Sequence, residues 1–474
     1  LNETQARQAV GQIFCLRFPA DWEVIDLKKY PVANYIVFRD VLESTFEGSR
    51  EKLAGARADL RERGIEPLFM MDEEGGRVTQ ISDFFPSAPS PRAIAKTLLP
   101  EETGPIYSHL AHQLCSLGID INLAPCLDVN TESMNPIIGS RAFGRTAKAV
   151  SLYGLTAFMS SRPYTAMVGK HFPGHGMTST DSHLELPMVD TDLRTIESTH
   201  LPPFADACGM GIDGVMMSHC NYVALQDDKT PATLSSQVVG DMLRGRLGYR
   251  RLVITDSLDM DAIIRTTDPE RAAILAHGAG CDISLYTRYT PRFEKSFDSF
   301  VAAVLSGDID RQRLDASLAR RRALCKRMRS CTARAASISR EVYDALRDRV
   351  LAESVMVNDR NRHLPLECER LRLVSTHSEV RARIRPHVGS VSEACSPSDA
   401  GGGALLLWLM EPLKISYSLE CMKKAIAGSD VSVLVTSYHA LAGLLPGCDV
   451  KITTLDTSPP TQDRILELLF GQKG

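Results

Sequence analysis

The chain has 474 residues, 44% of them apolar and 24% charged, with a formal net charge of -4. This is the composition of an ordinary globular protein, long enough for one large domain and a smaller one. The mildly acidic balance excludes a general attraction to nucleic acid or anionic membranes. The strongest apolar run, Ala404 to Met410, is far shorter than the roughly 18 residues a membrane-spanning helix needs.

Taken in chain order, short β-branched or apolar runs recur through the first 290 or so residues. They are Gln12–Phe18, Tyr35–Arg39, Pro67–Asp72, Ile121–Asp128, Ala166–His171, Gly214–His219, Leu252–Asp256 and Asp282–Tyr286. Segments with helical spacing separate them, for example Ser49 to Arg63 and Asp192 to Met210. Strands alternating with helices predict a parallel sheet, and eight such units suit a closed (β/α)8 barrel of the TIM type. An open, doubly wound sheet is the alternative, because spacing alone does not prove closure. Several runs end on an ionisable residue, namely Asp72, Asp128, His171, His219 and Asp256. One such residue is more often a turn-former or cap, but five on the C-terminal face of a parallel barrel predict one polar, functional mouth.

The first domain is expected over residues 1–340, closed by Arg- and Ala-rich helices between Asp308 and Arg349. A small α/β domain is expected over 351–474, with strands Leu371–Ser375, Ala404–Leu409, Val431–Thr436 and Asp449–Thr454 and helices Cys421–Ala427 and Gln462–Leu469. The Gly401-Gly402-Gly403 triplet stands outside any phosphate-binding pattern. Twelve cysteines are scattered without a CxxC pair, several in apolar stretches, and read as reduced, buried thiols. They lean the expected compartment toward the cytoplasm. Leu1 in place of Met leaves export open.

Two stretches carry the chemistry. Lys170-His171-Phe172-Pro173-Gly174-His175-Gly176 is followed by Asp181-Ser182-His183, in a segment that Pro and Gly make loop-like. An Asp two residues from a His can orient the imidazole and stabilise its cation, and imidazole titrates near neutral pH. His171, His175 and His183 could instead hold zinc, but no carboxylate-rich or HExxH context accompanies them. Neither a metal nor a cofactor is therefore expected. The second stretch, Leu252-Val253-Ile254-Thr255-Asp256, delivers a carboxylate to the barrel mouth, where it suits attack on an anomeric carbon. Taken alone, Asp256 reads more readily as a helix cap. Asp72-Glu73-Glu74-Gly75-Gly76-Arg77-Val78 and Gly139-Ser140-Arg141 add carboxylates and a guanidinium able to chelate ring hydroxyls.

Together the series DEEGGRV, NPIIGSRAFG, KHFPGHG with DSH after it, and ITDSLDM resembles glycoside hydrolase family 3, in its β-N-acetylglucosaminidase branch. The resemblance covers about residues 10 to 290. It implies Asp256 as nucleophile, His183 as general acid/base and Asp181 as its dyad partner. It also implies that Asp72, Arg141, Lys170 and His171 hold sugar hydroxyls. Gln80 stands where related enzymes often carry a substrate-contacting Arg. The implied activity is retaining, exo-acting hydrolysis of β-linked N-acetylglucosamine from glycans such as peptidoglycan fragments. The expected partner is therefore a carbohydrate substrate; the sequence does not give the oligomeric state. Phosphorolysis of the same linkage, β-glucosidase activity and an idle glycan-binding protein are the competing readings. If the dyad fails as proton donor, Glu74 and Glu185 are the next acid candidates.

Overall fold

The computed structural model describes residues 1–21, 24–178, 186–226, 229–331 and 339–359. Beyond these it describes 364–366, 370–375, 380–388, 390–393, 404–410, 419–427, 429, 431–437, 445, 448–456 and 458–471. Ten strands lie in the N-terminal part: β1 (Phe14–Arg17), β2 (Asn34–Ile36), β3 (Leu68–Met71), β4 (Ile121–Asn122), β5 (Ala166–Phe172), β6 (Met188–Val189), β7 (Gly214–Met217), β8 (Asn221–Tyr222), β9 (Leu252–Ser257) and β10 (Ile283–Tyr286). Eight of them close a parallel barrel in the order β1-β10-β9-β7-β5-β4-β3-β2, while β6 and β8 pair separately. All eight expected runs overlap a barrel strand. The run at Ile121 is much shorter than expected, because Pro125 has no N–H to donate to the ladder. Beyond Asn122 the chain still follows its neighbours through single bonds, Leu123 N–H to Met71 O and Leu127 N–H to Lys170 O.

Strand geometry divides the core. Alternate residues point inward, so Cys15, Ile36, Leu68, Met70, Ile121, Val168, Met216, Ile254 and Leu285 fill the barrel. The opposite faces pack under the surrounding helices, including Phe46–Glu62, Gly104–Leu117, Ala147–Ser161 and Pro291–Ser306. Thr45, Thr146 and Thr290 cap three of these helices by accepting an N–H three residues on. The helix Arg311–Cys331 covers the N-terminal end of the barrel and adds Leu324, Cys325 and Met328 to its interior cluster.

The barrel closes where the two ends of the domain meet. Phe14 of β1 pairs with Ser284 of β10, and Phe14 packs on Tyr286, Phe293, Phe297 and Phe300 with ring centroids 5.1–5.9 Å apart. Among the described residues no helix is long and apolar enough to cross a membrane.

A second sheet comprises β11 (Val355–Asp359), β12 (Arg370–Ser375), β13 (Ser390–Glu393), β14 (Ala404–Leu409), β15 (Val431–Thr436) and β16 (Val450–Thr454). Its order is β11-β16-β15-β14-β12-β13, parallel except for β11. The four expected strands are present, and the sequence reading missed the two edge strands β11 and β13. Residues of β11 are partly to well exposed, so they lack the apolar run that marks a buried strand. The glycine triplet 401–403 lies outside the described residues.

Buried hydrogen bonds fasten this sheet to the barrel, and Met134 packs against its core residues. Ser90 N–H donates to Asp456 Oδ1 (2.7 Å) and Ser90 Oγ donates to Leu455 O (2.9 Å). Ser90 caps the helix Pro91–Thr97, and Leu455 belongs to the barrel's outer core.

Candidate active site

The C-terminal ends of β3, β5 and β9 and the segments after β4 converge on one polar cluster. Lys170 lies on β5, at 2% exposure. Its Nζ is 2.5 Å from Asp72 Oδ1 and 2.6 Å from Glu74 Oε1. Arg141 binds Glu74 through two parallel bonds of 2.9 and 2.8 Å, and its Nη2 lies 3.3 Å from His171 Nε2. His171 Nδ1 is 2.7 Å from Asp128 Oδ2, and the His175 backbone N–H also donates to Asp128 Oδ1 (2.6 Å). Four residues expected to hold the sugar, Asp72, Arg141, Lys170 and His171, thus form one connected network. Consecutive strand residues normally face opposite sides. Here the β5–β7 register shifts between Gly169 and Phe172, at the stretch holding Lys170 and His171. Such irregularities re-aim side chains next to binding sites.

Two members of the network carry parts that sequence reading did not assign. Glu74 joins the lysine to the arginine, and Asp128 orients the histidine. Burial pushes the Glu74 carboxyl upward, but Arg141 and Lys170 outweigh it and hold Glu74 well below the usual carboxylate range. Glu74 is therefore held in its ionised form, which disfavours it as the reserve proton donor. Asp128 is likewise held low: burial opposes ionisation, and His171 and His175 overcome it. On Lys170, burial disfavours the ammonium but Asp72 and Glu74 raise its pKa. His175 is neutral, because burial and the neighbouring His171 lower it to about 4.

Glu73 behaves differently. Its Oε2 accepts from Thr79 Oγ1, Gln80 N–H and Ile81 N–H. Its Oε1 is buried with no partner among the described residues. Burial raises the Glu73 carboxyl to about 7, with the Glu74 charge acting in the same direction. Gln80 sits close by with its side chain engaged, accepting the Arg39 N–H at 2.9 Å.

Asp256 ends β9 half-buried, beside a register shift in the β9–β10 ladder. Its Oδ1 accepts the Ser257 N–H at 2.7 Å. His219, after β7, holds the same turn by donating Nε2–H to Ser257 O (2.8 Å). Cys220 lies within electrostatic reach of both Asp128 and Asp256; its thiol is pushed up to about 12, chiefly by burial. The nucleophile candidate and this polar network therefore share one mouth of the barrel. Asp181, His183 and Glu185 lie outside the described residues.

Cys126, Asp128 and His171 bring three potential metal-ligand atoms within 4.8 Å of one another. Their chemistry suits hydrogen bonding better. Asp128 Oδ2 already accepts from His171 and from Cys126 Sγ (3.3 Å), and burial together with Asp128 keeps the thiol protonated.

The description "Glycosyl hydrolase family 3 N terminal domain" matches residues 7–324. The chain belongs to glycoside hydrolase family 3. It is 32% identical over 320 residues to a protein named Beta-hexosaminidase A from Pseudoalteromonas piscicida, an alignment covering 62% of this chain and 53% of that one. It is 37% identical over 226 residues to a Beta-hexosaminidase from Alkalilimnicola ehrlichii, covering 46% of this chain and 64% of that one. The chain thus spans less than two thirds of either relative. Among solved structures it is similar to a family 3 beta-N-acetylglucosaminidase from Paenibacillus, at 25% identity and a TM-score of 0.82, covering 99% of this chain and 97% of that one. A Beta-N-acetylhexosaminidase from Beutenbergia cavernae matches 68% of this chain and 98% of its own, at 26% identity and a TM-score of 0.60. These similarities place this family 3 chain in the β-N-acetylglucosaminidase branch.

Proposed function

We propose that this chain is a retaining, exo-acting β-N-acetylglucosaminidase that releases terminal β-linked N-acetylglucosamine from glycans such as peptidoglycan fragments. The observation that carries the reading is the buried Asp72–Lys170–Glu74–Arg141–His171 network beside Asp256. It offers alternating donors and acceptors to sugar hydroxyls, with the charge-assisted bonds that fix a ring in place. The names of the most similar relatives support the sugar. In this reading residues 1–340 make the catalytic unit and 351–474 an appended α/β unit.

The mechanism follows from where charge develops. Asp256 attacks the anomeric carbon as the imidazolium of His183 protonates the leaving oxygen, giving a covalent glycosyl-enzyme. Neutral His183 then takes a proton from water, which releases the sugar with its configuration retained. Asp181 stabilises the imidazolium. Lys170, Asp72 and Arg141 hold the ring, and His171, braced by Asp128, presents Nε2 to it.

The deciding experiment is a panel of aryl β-glycosides that differ only at C2 of the sugar, run in phosphate buffer with the products followed by NMR. The expected result is preference for the N-acetylglucosaminide, release of free sugar and a first-formed β-anomer. Glucoside turnover that equals or exceeds it makes the chain a β-glucosidase, and sugar 1-phosphate makes it a phosphorylase. Sugar binding without turnover identifies an idle glycan-binding protein.

A further inference from the structure

At the end of the barrel opposite the candidate active site, a cleft of about 830 Å³ opens between the first helix, the entries to β2 and β3, and the helix Arg311–Cys331. Its charge is one-sided. Among the described residues, seven Arg and Lys side chains line it against one carboxylate, that of Glu66. Glu66 is already consumed, because Arg61 (2.8 Å) and Arg329 (2.6 Å) both bind it. Two more cations are neutralised locally, Arg7 by Glu3 and Asp298 and Arg63 by Asp59.

Four cations remain without a carboxylate contact among the described residues: Lys28, Arg321, Arg322 and Lys326. Arg321 is the unusual one, at 2% exposure on the wall of the cleft. Its Nε donates to Asn34 Oδ1 (2.8 Å), and its Nη2 donates to Ala33 O (2.8 Å) and Glu66 O (2.6 Å). All three acceptors are neutral, so no carboxylate bonds the buried guanidinium directly, and Glu66 and Asp120 act on it only through space. A concave surface with low-dielectric walls concentrates such a potential and attracts counter-ions.

We propose that this cleft is a binding site for a small oligophosphate. Cations held around one concavity repel one another, and a bound anion relieves that repulsion. Guanidinium forks match phosphate oxygens in pairs, which favours phosphate over a simple halide. The volume falls in the ~300–1,000 Å³ range of small-ligand sites, far more than one phosphate needs. A ligand with several linked phosphates can reach Lys28 on one side of the cleft and Arg322 and Lys326 on the other.

The test is calorimetric titration of the full chain with sodium pyrophosphate and, separately, with ADP and with sodium sulfate, each against sodium chloride at matched ionic strength. The parent is compared with the double variant Arg322→Ala, Lys326→Ala. Both side chains are exposed, so the variant should fold, with an unfolding midpoint no lower than the parent's. The expected result is saturable pyrophosphate binding that weakens at least tenfold in the variant. Tighter binding of ADP than pyrophosphate makes the natural source a nucleotide, and equal or weaker binding makes it free oligophosphate; both support the site. Absence of saturable binding, undiminished binding in the variant, or sulfate binding as tightly as pyrophosphate overturns it.

Discussion

Asp256 and Glu73 are both acidic, yet their surroundings ask opposite things of them. Asp256 is half-buried at a strand end, where its carboxylate accepts the Ser257 N–H, and the proposed mechanism asks it to attack. Asp256→Ala should abolish turnover with little loss of stability, and azide should restore part of the activity while giving the inverted α-glycosyl azide. Full activity in the variant removes Asp256 from the mechanism. Glu73 is buried with one oxygen unpartnered and a pKa raised to about 7. The folded chain therefore holds a proton that the unfolded chain has released above its ordinary pKa of 4.5. With more protons bound in the native state, stability falls as pH rises through that window. The shift is equivalent to about 3 kcal/mol at most. Glu73→Gln mimics the protonated form, so its stability relative to the parent should increase between about pH 5 and about pH 8. Parallel unfolding curves across that range mean that Glu73 does not titrate there.

Elements act here mainly through what they press against. Gly176, just before the expected dyad, has room only for hydrogen: a Cβ there would stand 2.0 Å from Val129 O. Gly176→Ala must displace either the dyad segment or the stretch of chain that carries Asp128. It should lower stability by about 1–3 kcal/mol and reduce turnover. Gly55 lies inside the helix Phe46–Glu62, and a Cβ there would meet nothing within 4 Å. Gly55→Ala should instead stabilise by about 0.5–1 kcal/mol, and thermal unfolding of the pair separates packing from propensity. The dyad itself is tested by leaving-group dependence. General acid help is worth about 10²–10⁴ in rate, so His183→Ala should lose that order on poor leaving groups and much less on activated aryl ones. An equal loss on both, with an unchanged pH profile, assigns the proton to another group.

At the scale of the whole molecule, the described residues link the second sheet to the Glu74 network through Ser90. Asp456 takes the Ser90 N–H and a bond from Thr461 Oγ1 (2.5 Å). Residues 88–90 in turn back the turn that follows Glu74. Gly76 N–H donates to Ala88 O (2.8 Å), and a Cβ on Gly76 would meet Ser90 Cβ at 2.6 Å. Asp456→Ala leaves buried donors without an acceptor, which costs about 1–3 kcal/mol for each. Because the loosened segment supports Glu74, substrate KM should rise more than kcat falls. A stability loss with unchanged KM would mean that the contact only fastens the two sheets together.

The sequence alone determined the eight barrel strands and the residues at their ends, because a parallel strand buried on both faces must be a short apolar run, and the chain has to leave it on a polar group at the mouth. It also determined the family, since the motifs keep their order and spacing through residues 10 to 290. It favoured closure over an open sheet, and what makes the closure is Phe14 of the first strand meeting Ser284 of the last and an aromatic cluster drawn from both ends of the domain. It did not reveal the edge strands Val355–Asp359 and Ser390–Glu393, which lie at the two margins of the second sheet. Nor did it separate Glu73 from Glu74. The two are adjacent and chemically alike, and one is forced to ionise while the other is driven toward its neutral form. That difference comes from Arg141 and Lys170, 67 and 96 residues further along the chain from Glu74, whose charges reach one carboxylate and not the other only after the barrel has closed around them.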